Sequence, residues 1–147
     1  MATVVSDIKV FDRTMQKTMR WIDAVAGIMG STDRQRAFMV LRSVLHALRD
    51  RLPPNESVQL AAQLPMLVRG FYYEGWHPQD KPKRYRHKGP FLKEVADAVP
   101  TLDNTQVERG ISAVFEVLAG ELPGGELEHV RHALPAELRE LWAVPGM

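Results

Sequence analysis

No cysteine occurs in the 147 residues. Its absence excludes a disulfide scaffold, thiolate metal sites and cysteine catalysis, and it fits a reducing compartment, so a cytoplasmic location is expected. Long apolar runs are missing too: none approaches the roughly eighteen residues that a membrane span requires. Residues Met1 to Phe11 lack the basic-then-apolar layout of a signal peptide. Serine is sparse (Ser6, Ser31, Ser43, Ser57 and Ser112) and none lies in a Gly-x-Ser-x-Gly elbow. A phosphate loop and a dinucleotide fingerprint are equally absent. Nothing in the sequence supports catalysis, and a non-enzymatic protein without cofactors is expected. No segment shows sustained period-two alternation or an Asn-Gly hairpin signal, which leaves no case for a sheet.

What remains is ordinary in amount and uneven in placement. Apolar residues make up 45% and charged residues 25%, values of a folded domain rather than a disordered tail. Residues 1–76 hold ten Lys/Arg against seven Asp/Glu, a balance of +3; residues 77–89 hold five against one, +4; residues 90–147 hold four against ten, −6. Such a split suits a basic face meeting an acidic protein or nucleic acid, and equally an attraction between the two halves or between copies.

The chain repeats itself. Shifted by 70 residues, Ser31–Tyr72 lies on Thr101–Trp142 without a gap, and nine of 42 positions are identical, among them Asp33/Asp103, Leu48/Leu118, Pro53/Pro123, Leu64/Leu134 and Pro65/Pro135. Each copy reads as four helices. The first, about 12–29 and 87–99, carries Met15, Met19, Ile22, Val25 and Met29 on one stripe. Asp33 and Asp103 are placed to cap the second helix by accepting from orphan backbone N–H groups. That helix buries Ala37, Leu41, Val44, Leu48 and Leu52 in one copy and Val107, Ile111, Val114, Leu118 and Leu122 in the other, both in steps of 4, 3, 4 and 4. Prolines at 53–54 and 123 end it. Short third helices near 55–63 and 125–133 and fourth helices from Pro65 and Pro135 complete each copy. The expectation is an all-α protein: a first repeat over 12–76, a basic linker over 77–89 and a second repeat over 90–146. Because a lobe of this size is marginal alone, the two should share a core as one bundle-like domain with pseudo-twofold symmetry.

Certain strings are also distinctive. Leu60-Ala61-Ala62-Gln63-Leu64-Pro65, followed by Arg69-Gly70 and Tyr72-Tyr73-Glu74-Gly75-Trp76, resembles the hallmark of a bacterial two-repeat helical family catalogued as domain of unknown function twenty-two sixty-seven. Leu41 to Leu52 is similar to that family's second helix, and Leu134 to Trp142 to its C-terminal helix. The likeness runs from about Phe11 to Trp142. It implies an all-helical fold, no established activity and no catalytic residues to carry over.

The duplication separates shared features from those of one copy. Glu56/Glu126 and Arg69/Arg139 occur in both and are expected to pair structurally across the corner between third and fourth helices. Tyr73 and Trp76 occur once, since Ala143 and Gly146 take their places, and they lead into the basic stretch. Arg69, Tyr73, Glu74 and Trp76, with Lys81, Lys83, Arg84, Arg86 and Lys88, are the candidate partner-binding residues: an aromatic anchor ringed by cations has the composition of a protein interface. The partner would be another protein or a second copy. The alternative is RNA or DNA, with rings stacking bases and cations meeting phosphates over 76–88. The plainer alternative is an exposed linker anchored by Trp76 and solvated by its charges. A metal-dependent enzyme centred on Glu126, Glu128, His129 and His132 is a third reading. Its Glu-x-x-His spacing needs a matching motif, and the first copy offers only Glu56, Gln59 and Ala62, so no metal site is expected.

Overall fold

The structure, a computed structural model, describes residues 6–84 and 87–142. Among these residues there are eight α-helices and no strand: α1 (Lys9–Met29), α2 (Arg34–Arg49), α3 (Pro54–Ala62), α4 (Met66–Tyr72), α5 (Lys88–Ala98), α6 (Asn104–Glu121), α7 (Gly124–Ala133) and α8 (Ala136–Leu141). None is long and apolar enough to cross a membrane.

The helix limits follow from short-range chemistry. Asp33 accepts from Arg36 N at 3.0 Å and starts α2. Asp103 does the same for α6, and Gln106 returns a bond to Asp103 N at 2.9 Å, a reciprocal pair that satisfies two orphan donors. Gly30 ends α1 at φ 74, where a side chain would be strained, and its N–H and that of Ser31 take up the last carbonyls. Prolines stand immediately before Met66 and Ala136 and begin α4 and α8. Two boundaries differ from the pattern. α1 starts at Lys9, three residues before the expected position, because Ser6 and Asp12 bond one another and order the first turn. α2 ends at Arg49, with Leu52 in the turn that follows, because the residue before a proline disfavours helical backbone.

Packing ties the two halves of the chain together. α1 lies on α2, α4 and α6; α5 lies on α6, α8 and α2; α2 crosses α6, and α3 faces α7. One buried cluster contains Val25, Leu41, Val44 and Leu48 together with Val95, Ile111, Val114 and Leu118. α2 and α6 approach closely where they cross: a Cβ on Gly110 would stand 2.9 Å from Val40 Cγ1, so that position has room for hydrogen alone. Apolar burial on this scale is the main source of the fold's stability.

Candidate binding groove

Two helix corners set the geometry. At the α3–α4 corner Arg69 donates from Nε to Ala61 O at 2.9 Å and from Nη2 to Leu64 O at 3.1 Å and Ala62 O at 3.5 Å. At the α7–α8 corner Arg139 donates from Nε to Arg131 O at 2.9 Å and from Nη2 to Leu134 O at 2.9 Å and His132 O at 3.3 Å. This corrects the expected Glu56–Arg69 and Glu126–Arg139 pairing. The physical reason is that a helix ending just before a proline leaves carbonyls that no backbone N–H answers, and a planar guanidinium answers several at once. It also ties Arg69 Nε and Nη2 to the corner.

The two glutamates turn elsewhere, onto the α3–α7 contact. Each has a buried Oε2 with no hydrogen-bond partner among the described residues. Burial and then the charge of Glu56 push the Glu126 carboxyl above its ordinary range, and His129 offsets part of this. Among the described residues no group of three or more His, Asp or Glu is placed to hold a metal ion.

The basic segment is not a solvated linker throughout, as the plainer alternative required. Lys83 N donates to Asp50 O at 2.7 Å, and Lys83 Nζ stands 3.2 Å from Glu94 Oε1 and 3.8 Å from Asp50 Oδ2. The Lys81 side chain is only 8% exposed and pairs with Asp80. Arg84 is exposed and makes no ion pair among the described residues. Lys88 belongs to α5, and its N–H, with His87 Nδ1, is held by the Glu137 carboxylate of α8. Those two contacts hold the Glu137 carboxyl below its usual range. Arg86 lies outside the described residues.

Two buried arginines on either side of Asp50 were not anticipated. Arg49, 4% exposed, donates to the carbonyls of Tyr72 and Glu74 and to Asp50. Arg51, 2% exposed, donates to Ala47 O and to Glu94 Oε1, and its guanidinium sits over the Phe91 ring at 5.1 Å. A signal for them existed: Arg49-Asp50-Arg51 stands against Ala119-Gly120-Glu121 in the shifted alignment, a feature of one copy only.

With 81–83 docked on α2 and α5, the segment stands opposite the α7–α8 corner and leaves a groove of about 1130 Å³ between them. Gln79 to Arg84 line one side and His132 to Ala136 the other, with Arg51, Pro53 and Arg139 also in the lining; among the described residues Asp80 is its one acidic member. The aromatic candidates are not part of it. Tyr73 and Trp76 pack on one another at 5.4 Å between ring centroids at the end of α4, and Trp76 Nε1 is buried. Glu74 accepts from Arg42 at 2.9 Å and is likewise absent from the lining. The structure thus brings together Lys81, Lys83 and Arg84 with Arg139, and leaves Arg69, Tyr73, Glu74 and Trp76 apart from them.

The profile of a family described as "Uncharacterized conserved protein (DUF2267)" matches residues 18–141. The chain belongs to this family. The DUF2267 match spans α2 to α8 and most of α1, and so includes both corners and the whole groove. No curated protein matches the chain.

Proposed function

We propose that this DUF2267 protein is a small non-enzymatic interaction module of the bacterial cytoplasm that docks an anionic segment of a protein partner in the groove between residues 79–84 and the α7–α8 corner. The observation that carries the reading is the lining itself: among the described residues Arg51, Lys81, Lys83, Arg84 and Arg139 are set against Asp80 in the lining and Asp50 and Glu94 beside it, which leaves positive charge in excess. A cleft lined by one sign of charge attracts and orients a ligand of the other. Two four-helix repeats about a pseudo-twofold axis form the scaffold. Its support is that helix contacts occur in matched sets, α1 on α6 as α5 on α2, and that Val40 meets Gly110 while Glu56 faces Glu126, each a position and its own counterpart 70 residues on.

Base stacking by Tyr73 and Trp76 draws no support from the groove, because among the described residues its lining holds neither. The test is affinity purification of the chain from its native cells at low salt, with and without nuclease, beside the Arg84→Glu variant. A stoichiometric protein partner that resists nuclease and is lost with Arg84→Glu is the expected result. Nucleic acid that carries the co-purifying material away on nuclease treatment would overturn the reading. So would a partner indifferent to Arg84→Glu. A partner that proves to be a second copy, lost with Arg84→Glu, would identify the anionic segment with residues 90–147 and their balance of −6.

A further inference from the structure

The groove's charges fall into two groups. Arg51 and Lys83 share Glu94 and Asp50, and Lys81 faces Asp80. Arg84 and Arg139 meet no carboxylate among the described residues, so two positive charges on opposite walls are left uncommitted. They differ in kind. Arg84 is exposed and free to turn. Arg139 is fixed: three carbonyls hold its Nε and Nη2, while its Nη1 makes no hydrogen bond among the described residues. A guanidinium held from behind with one amino group left over is a pre-organised donor, which loses little side-chain freedom on meeting a ligand.

Two uncommitted cations on facing walls match a compact tetrahedral dianion better than a carboxylate. A carboxylate is planar and carries one charge; a phosphomonoester carries close to two and presents three acceptor oxygens in different directions. A nucleic-acid backbone presents diester groups of one charge each. We infer that the groove recognises a phosphorylated side chain on its partner's segment, with Arg139 Nη1 as the fixed donor and Arg84 closing from the other wall. The inference rests on the protein-docking reading above and names the group that anchors it.

The experiment titrates the full chain, at constant ionic strength, with three probes: a short alanine-flanked phosphoserine peptide, the same peptide with glutamate, and a single-stranded oligonucleotide. Backbone and arginine Nε–H resonances are followed by NMR. The phosphopeptide should bind about tenfold more tightly than the glutamate peptide and shift signals from 79–84 and 132–139. Arg84→Gln should weaken it severalfold. Arg139→Lys should abolish the preference, whereas Arg69→Lys, which disturbs the matching corner, should leave it intact; that contrast separates lost recognition from a loosened corner. Equal binding of the glutamate peptide would overturn the phosphoryl assignment while leaving the docking reading in place. Binding of the oligonucleotide with no response to the phosphopeptide would overturn both in favour of nucleic acid. Silence with all three probes would overturn the phosphoryl assignment, and the purification with Arg84→Glu would then decide the docking reading.

Discussion

The α3–α4 and α7–α8 corners are built alike and surrounded differently. In each, an arginine eight residues beyond the first carbonyl it holds locks the end of a short helix, with Nε at 2.9 Å in both. The surroundings then diverge. Beside the first corner lies the N-terminal half of α1, where Thr14 Oγ1 accepts from Leu67 N and exposed Met15 and Leu67 line an apolar hollow. Facing the second is the basic segment, and a cationic groove results. Identical internal wiring therefore does not imply identical surfaces. What distinguishes the corners is the chain that passes in front of them.

The comparison is most exposed to failure at the arginines themselves. Arg69→Ala and Arg139→Ala should each cost about 3 kcal/mol, since each leaves three carbonyls without their charged donor. Urea denaturation of the two variants should give losses within about 1 kcal/mol of each other; a neutral result at either site would break the equivalence. A smaller effect, about 1–2 kcal/mol, is expected for Gly110→Ala, which presses a methyl group onto Val40 Cγ1. Combining it with Val40→Ala should recover part of that loss, and calorimetry would show the opposite if the α2–α6 crossing adapts in another way.

Next comes the α3–α7 contact. Glu126 has its folded-state pKa raised, chiefly by burial. The folded form then holds its proton more tightly than the unfolded chain. The associated stability is fully present below the ordinary carboxylate range and is lost as pH rises through the raised value. Thermal melts of wild type should therefore decline over that interval relative to Glu126→Gln, which carries no charge there; parallel profiles would contradict it. Arg84→Glu should have the least effect on folding, within about 0.5 kcal/mol, because Arg84 is exposed and unpaired. A marked loss of stability would mean that the groove's free cation is a structural one.

The helices were legible because their signals are local. A 4, 3, 4, 4 spacing of apolar residues, an aspartate before it and a proline after it fix both ends of α6 and the start of α2 almost to the residue, while α2 stops three residues short of Leu52. The site was legible only in part, and the reason is range. Whether Arg69 binds Glu56 or a backbone carbonyl turns on acceptors that every residue possesses and no sequence pattern marks. Whether Lys83 is solvated or docked depends on Asp50 and Glu94, 33 and 11 positions away and on different helices. Charge counts located the basic segment correctly but not the wall it would face. Tyr73 and Trp76 drew attention through their composition, yet they pack against each other at the end of α4, outside the groove.

The arginine at the α7–α8 corner has a consequence for how such a groove changes over generations. Its removal is expected to loosen a helix end, so folding alone would favour a guanidinium at that spot, whether or not anything binds there. Drift would be freer in the segment on the opposite wall, where Arg84 is exposed and makes no ion pair among the described residues. Descendants of one ancestral gene would then retain a common fixed point for attachment and diverge in partner by altering a few residues around position 84, without risk to the fold that presents them.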